Sequence, residues 1–307
     1  MQRVEASGRR ASAGTLALVA AVSRLHIVAI GALGALTFGW VFFDRRMPLV
    51  ALAAAVDWFL VNFLNRAVDL KEDAANGIVG TDFVARHRRG VLAAGFGLLA
   101  GTLLAGHLAA PALTPFRLGF HALGLAYNWP LLPGRRRIKQ LYFWKNTASA
   151  TGFVLTVFAY PLALGLGRGE ALSMRPAGIA LTALFFVLFE LSYEVLYDLR
   201  DAAGDRAAGV ATYPVVHGEC AAARIVDGLV VASIAVAVGG YAAGLVPWRV
   251  VVMIAAPVAQ LVYTRRLARA ESGAPRVAAQ DCIRLTWIGC GMLGAYQIWV
   301  SLGLPGV

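Results

Sequence analysis

Two of the long apolar runs in this chain end in acids spaced by whole helical turns, and that combination restricts the fold more than any other feature of the sequence. The first run ends in Asn65-Arg66-Ala67-Val68-Asp69-Leu70-Lys71-Glu72-Asp73. The second already carries Glu190 and Glu194, and ends in Asp198-Leu199-Arg200-Asp201-Ala202-Ala203-Gly204-Asp205. On a helix, a spacing of four residues drifts by only about 40°, so Asn65, Asp69 and Asp73 are predicted to form one polar ridge. By the same geometry Glu190, Glu194, Asp198, Asp201 and Asp205 fall within about 80° of arc.

The runs themselves define the class. The 307 residues are 59% hydrophobic and 15% charged, with a mean hydropathy of +0.67, which points to an all-α polytopic membrane protein. A spanning helix needs about 20 apolar residues. By that measure nine transmembrane helices are predicted, at 25–43, 47–64, 91–110, 114–132, 147–166, 177–197, 222–244, 247–264 and 284–303. Residues 1–24, with a short apolar patch at Leu16–Val22, are expected as a cytoplasmic tail with an interfacial helix, and 25–307 as the membrane domain. Asp69 and Asp201 are 132 residues apart, and similar small-residue turns follow the two motifs, which suggests a duplicated four-helix unit with one odd helix.

The net charge of +11 is explained by the position of the basic residues and gives no reason to expect nucleic acid. Lys and Arg divide 22 to 6 between alternate connections, and the side richer in them is expected to face the cytoplasm. The N-terminus and both acidic motifs then lie on that face and the C-terminus outside. The high Ala, Gly and Arg content points to a bacterium with a GC-rich genome, and so to a bacterial cell membrane. Cys220, Cys282 and Cys290 show no paired or metal-ligand spacing and read as small apolar fillers. His26, His107, His121 and His217 stand isolated in the sequence, and Asp57, about 80° off the first ridge, reads as an interior packing acid.

Each carboxylate near membrane depth costs about 2.5–3.5 kcal/mol even on the lenient insertion scale, so the ridges require compensation. Oxygen donors without Cys or His suit Mg²⁺, which takes one or two carboxylates together with substrate phosphates. Two facing ridges could hold two ions around a diphosphate. Either motif alone also fits a solvated helix end. Between the predicted fourth and fifth helices come Tyr127-Asn128-Trp129-Pro130, the run Arg135-Arg136-Arg137-Ile138-Lys139, and Lys145-Asn146. These bases, with Arg66, Lys71 and Arg86-His87-Arg88-Arg89, could neutralise phosphate oxygens or could serve topology alone. Glu190 and Glu194, with Tyr193 and Tyr197 beside them, could orient an acceptor, take a proton or form a structural pair.

The patterns Asn65-x-x-x-Asp69-x-x-x-Asp73-x-x-Asn76 and Asp198-x-x-Asp201-x-x-x-Asp205-Arg206-Ala-Ala-Gly209-x-x-Thr212-x-Pro214-Val215-x-x-Gly218 resemble the two signatures of the UbiA superfamily of intramembrane prenyltransferases. The segment Tyr127 to Asn146 is similar to that family's basic connection between its fourth and fifth helices. The resemblance implies a helical bundle with a central cavity open toward lipid. There an isoprenyl diphosphate would bind through two Mg²⁺, one on Asn65, Asp69 and Asp73, the other on Asp198, Asp201 and Asp205. The prenyl group would pass to a lipophilic acceptor within the membrane lipid, with Glu194 as a catalytic candidate. Arg66, Tyr127, Lys139, Lys145, Asn146, Glu190, Tyr193 and Arg206, with Asn65, are the substrate-binding candidates. Tyr127, Trp129, Phe189 and Tyr193 could face an allylic cation with their rings or simply pack. Two departures stand out: the Gly77–Gly90 connection is longer than usual and has no Arg-Pro pair, and Tyr197 stands where many members have Asn or Lys. Both touch the acceptor side of the site. A membrane terpene cyclase on the same scaffold and an ion-coupled transporter are the alternative readings. The transporter fits less well because the acids cluster at one face and not at midplane.

Overall fold

Helices begin where proline presets the backbone and end where glycine can turn it. The computed structural model describes residues 23–75, 80–270 and 276–303, so most of the predicted tail, Asn76 with its three followers, and the last four residues lie outside the described residues. In chain order the helices are α1 (Leu25–Phe43), α2 (Pro48–Arg66), α3 (Leu70–Ala75), α4 (Thr81–Arg86), α5 (Arg88–Ala109) and α6 (Thr114–Asn128). After a basic connection come α7 (Tyr142–Gly167), α8 (Pro176–Ala208), α9 (Tyr213–His217), α10 (Glu219–Ala242), α11 (Trp248–Leu267) and α12 (Ala279–Ser301). Among the described residues there is no strand, only an isolated bridge between Leu132 and Arg136. Pro48 and Pro176 open α2 and α8, where the missing N–H is no loss. Gly209, at φ 67°, closes α8, and the Val210 N–H returns to the Asp205 carbonyl at 2.8 Å, a left-handed cap that only glycine adopts without strain.

Seven of the described helices, α1, α2, α5, α7, α8, α10 and α11, are long and apolar enough to cross a membrane. The other two predicted spans correspond to α6 and α12. With 15 residues, α6 is about 23 Å long, short of a 30 Å hydrocarbon core, and α12 opens with Gln280, Asp281 and Arg284. At 33 residues, α8 is about 50 Å long, so it continues well past the predicted end at 197 and carries the whole second motif on one continuous helix.

The first motif is built differently from the ridge predicted for it. The helix stops at Arg66 and restarts at Leu70, leaving Asp69 in the break. The Asp69 N–H still donates to the Asn65 carbonyl at 3.0 Å, and the Asp73 N–H to the Asp69 carbonyl at 2.8 Å. The four-residue register, and with it the shared side, survives the interruption. The Gly77–Gly90 connection is likewise no plain loop: α4 occupies part of it and α5 starts at Arg88. A short helix therefore follows each motif, α4 after the first and α9 after the second.

Phe38, Phe42, Phe158 and Phe186 pack ring against ring in the core, with the Phe38 and Phe158 ring centroids 4.2 Å apart. Close approach of α1 to α2 depends on Gly31, since a Cβ there would come within 2.5 Å of the Trp58 ring. Inside α7, residues Leu155–Ala159 widen into a π turn just before Pro161, which has no N–H to give. There the Thr156 hydroxyl accepts from the Trp58 indole at 3.0 Å.

Asp57 is fully buried and joins three helices. Arg117 reaches it with two bonds of 2.9 and 2.6 Å, Tyr160 donates at 2.7 Å, and His121 Nε2 lies 2.9 Å away. The expectation of an interior packing acid agrees with this arrangement. The reading of His121 is corrected, since it is not isolated, and Arg117, in the first turn of α6, is the buried counter-ion of Asp57. His217 and His107 also find partners, the Tyr142 hydroxyl at 2.5 Å and the Thr114 hydroxyl at 3.0 Å.

Candidate active site

The two motifs end on the same side of the bundle because α2 and α8 run in the same direction, and both line one cavity of about 860 Å³. Its mouth is polar and its depth apolar. At the mouth stand Asn65, Asp69 and Asp73 from the first motif and Asp198, Asp201 and Asp205 from the second. Deeper lie Glu190, Glu194 and Tyr193, then the rings of Trp58, Phe120, Phe153 and Phe189. Trp58 packs against both Phe120 and Phe153, with centroids 5.1 and 4.2 Å apart.

The basic connection folds back over this mouth. Gly134 (φ 73°) and Arg135 (φ 55°) turn the chain, Leu132 bonds Arg136, and Arg137 and Lys139 are carried onto the first motif. Lys139 lies 2.6 Å from Asp69 and 2.5 Å from Glu72, and Arg137 lies 3.2 and 2.6 Å from the same two acids. On the second motif Lys145 bridges Asp198 at 2.7 Å and Asp205 at 3.3 Å. Asn146 donates to Asp198 at 2.8 Å, and Asp201 pairs with its neighbour Arg200 at 2.5 Å. Glu194 accepts from the Ser149 hydroxyl at 2.7 Å, while Tyr193 donates to the Cys282 carbonyl at 2.6 Å. Burial lifts the Asp69 carboxyl above the ordinary carboxylate range, with Lys139 and Arg137 pulling it back only in part. Burial also acts on Glu72, but hydrogen bonds from Lys139 and Arg137 outweigh it and hold that carboxyl below its usual value.

Among the described residues no three His, Cys, Asp or Glu side chains converge as a metal cage. The acids are instead turned onto basic partners, as expected of carboxylates in a poorly solvated setting. Two observations nevertheless fit a hard cation. Carboxylates outnumber basic side chains in the cavity lining, eight to five, and the Asn65 Oδ1 is buried with no hydrogen-bond partner. Buried amide oxygens are ordinarily satisfied, and Asn65 lines the cavity together with Asp69 and Asp73.

Most of the sequence-derived candidates meet here, with three exceptions; one is Asn146, which bonds Asp198 at 2.8 Å but is not part of the lining. Arg206 is 59% exposed in its side chain and sits 4.0 Å from Glu219, outside the cavity; the last turn of α8 points it away. Arg66 is buried against Asp73 at 2.9 Å and is not part of the lining. Conversely, Glu72, Arg137 and Ser149 join the site without having been singled out. Glu72 was legible, since it follows Asp69 by three residues and so shares its face. Arg137 was hidden in a triplet that topology alone explains.

The sequence pattern that defines the UbiA prenyltransferase family matches residues 25–287. The chain belongs to the UbiA prenyltransferase family. A digeranylgeranylglyceryl phosphate synthase of Methanopyrus kandleri is 33% identical over 104 residues, a stretch that covers 34% of this chain and 38% of that relative. In fold, the chain is similar to a UbiA homologue from Archaeoglobus fulgidus bound to GPP and Mg²⁺, with a TM-score of 0.70 at 17% identity, covering 92% of this chain and 99% of the other. A UbiA homologue from Aeropyrum pernix K1 gives a TM-score of 0.62 at 15% identity over 90% and 98% of the two chains. These likenesses establish the UbiA fold.

Proposed function

We propose that this UbiA-family member transfers an isoprenyl group from a prenyl diphosphate to a lipophilic acceptor inside the membrane, releasing diphosphate. The observation that carries this reading is the single cavity whose mouth holds both acidic motifs with Lys139 and Lys145, and whose depth is lined by aromatic rings. The A. fulgidus homologue with GPP and Mg²⁺ supports it. We further read α6 and α12 as spans, which gives nine, and place the mouth on the cytoplasmic side and the C-terminus outside from the basic-residue asymmetry.

Two Mg²⁺ ions would be held by Asn65, Asp69 and Asp73 and by Asp198, Asp201 and Asp205; when bound, they supply Lewis-acid stabilisation of the departing diphosphate. The chain's own residues do the rest. Lys139, Arg137 and Lys145 neutralise negative charge as it builds on the leaving diphosphate. As the C1–O bond breaks, the rings of Trp58, Phe120, Phe153 and Phe189 face the allylic carbon, each contact contributing about 0.5–2 kcal/mol. The acceptor forms its new bond to C1 and gives its proton to Glu194, which Ser149 keeps oriented. The same aromatic lining suits a cation that closes on its own chain, so a membrane terpene cyclase is the second reading.

Purified protein offered prenyl diphosphates, Mg²⁺ and a lipid extract as acceptor source decides between them. Transfer predicts rapid diphosphate release only with the extract, and products whose mass is acceptor plus prenyl group. Equal release without extract, with hydrocarbon products, overturns it in favour of cyclisation.

A further inference from the structure

The acids of the first motif spend their oxygens in two different ways. Asp69 meets both Arg137 and Lys139 through Oδ1, at 3.2 and 2.6 Å, and Asp73 meets Arg66 through Oδ2 at 2.9 Å. Among the described residues each thus keeps its second carboxylate oxygen to offer, as Asn65 keeps its unpartnered Oδ1. Glu72 keeps none: Oε1 takes Arg137 at 2.6 Å and Oε2 takes Lys139 at 2.5 Å. Its side chain is 41% exposed, whereas those of Asp69 and Asp73 are buried, so Glu72 lines the cavity at its rim.

The bases it holds come from a connection with little regular structure of its own. Between α6 and α7 the chain makes two short 3₁₀ turns, the bridge of Leu132 with Arg136, and a bond from the Arg137 N–H to the Gln140 side chain at 2.9 Å. These bonds shape the connection, but they lie within it and fasten it to nothing else. Among the described residues its ion pairs to the first motif end on Asp69 and Glu72. The two acids are not equivalent as anchors. Asp69 belongs to the proposed metal set, and a cation there repels the ammonium and guanidinium that share its oxygen. Glu72 has no oxygen left over for a cation and can keep both bases in place.

We propose that Glu72 is the positioning residue of the basic connection: it tethers Lys139 and Arg137 over the first motif, where their charges meet the diphosphate, and takes no part in holding metal. This rests on the prenyl-transfer reading and deepens it. One carboxylate that grips a base on each oxygen holds the two as a fixed pair, which lowers the ordering cost of presenting both to a substrate. Arg and Lys carry more N–H donors than this tether uses, so each base keeps donors for phosphate oxygens while it is held. Glu72 therefore acts on the leaving group through Lys139 and Arg137 and not by touching it.

The test is a mutant cycle on the purified full chain in nanodiscs, read by affinity for inorganic diphosphate with Mg²⁺ and by hydrogen exchange of residues 130–141. Glu72→Gln, which keeps the shape and removes the charge, should weaken diphosphate binding about tenfold and speed exchange across the connection at least about fivefold. Glu72→Asp should restore part of both. Exchange in α2 and α8 should stay at wild-type rates, which shows that the variant is folded. In the Arg137→Gln/Lys139→Gln background, where Lys145 still supports diphosphate binding, the same Glu72→Gln substitution should change affinity by less than about twofold, since no base is left to position. Equal loss in both backgrounds means that Glu72 acts by itself, as a metal ligand does, and overturns the tether. Unchanged exchange of the connection in Glu72→Gln overturns it as well. Failure of the prenyl-transfer reading is a separate result: the wild type then binds no diphosphate, while the difference in exchange persists.

Discussion

The molecule holds two clusters of buried acid and base, one around Asp57 and one at the cavity mouth, and they are built to opposite ends. Asp57 is an acid with its demands met: two bonds from Arg117, one from Tyr160 and contact with His121, and none of these four residues lines the cavity. At the mouth the pairing is looser. Lys145 divides itself between Asp198 and Asp205, Lys139 between Asp69 and Glu72, and the amide oxygen of Asn65 has no partner. The contrast teaches that burial and charge do not by themselves mark a functional acid. What separates the clusters is whether the acid's hydrogen-bonding capacity is filled from within the protein and whether open volume adjoins it. A buried pair with every partner present is a structural joint; acids in excess along a cavity wall are an offer to a cation and a substrate.

The largest expected effect breaks the comparison at the mouth. Asp69→Ala and Asp198→Ala should each lower the rate of diphosphate release by at least about a thousandfold, equivalent to about 4 kcal/mol of transition-state stabilisation, while insertion and melting in detergent change little. Chelation with EDTA should do the same to the wild type. Wild-type activity in either variant or in EDTA would remove the metal-assisted reading.

At the other cluster the loss should appear as stability. Asp57→Ala strands Arg117 in the bundle and should destabilise the protein by about 3–5 kcal/mol, measured as thermal unfolding in detergent micelles. Replacing Asp57 and Arg117 together with Leu and Met should recover much of that loss, because no charge is then left without a counter-ion. If Asp57→Ala melted normally and lost only activity, the cluster would belong to the site after all.

Glu194 tests the boundary between the two kinds of acid, since it lies on the cavity wall yet accepts a bond from Ser149. As the acceptor's base it should lower kcat about a hundredfold in Glu194→Gln while leaving the KM for prenyl diphosphate within twofold. A change in KM alone would make it a binding group.

The extent to which sequence sufficed follows from the same physics. Continuous apolar length is a local property, so α1 was read to the residue and the ends of α2, α5, α10 and α11 within three; α7 begins five residues before its predicted start, and α8 overran its predicted end because helix geometry does not stop at the membrane surface. The four-residue spacing of the acids was legible as a ridge. The break at Ala67–Asp69 was not, because neither Gly nor Pro marks it and the i to i−4 bonds continue across it. Partners distant in sequence were out of reach in principle. Asp57 is 60 residues from Arg117 and 103 from Tyr160, and nothing in the periodicity of α2 announces either. Arg137 was hidden for a different reason, since a basic loop satisfies the positive-inside rule whether or not one of its arginines bends back over the mouth.

Arg206 gives the smallest expected effect and the sharpest check on where the site ends. Sequence position makes it a candidate, directly after Asp205 in the second motif. Helix geometry argues otherwise: one residue advances about 100° around the axis, so when Asp205 faces the cavity its neighbour faces away. Its side chain is 59% exposed and its nearest acid, Glu219, is 4.0 Å distant, an arrangement that contributes little once water screens it. Arg206→Ala should therefore leave kcat/KM for prenyl diphosphate within about twofold of wild type, a change on the scale of an exposed ion pair. Steady-state kinetics at matched protein insertion read this directly. A tenfold loss would mean that the end of α8 folds over the mouth when substrate is present, bringing Arg206 onto the diphosphate, and would extend the site by one turn beyond the cavity seen here.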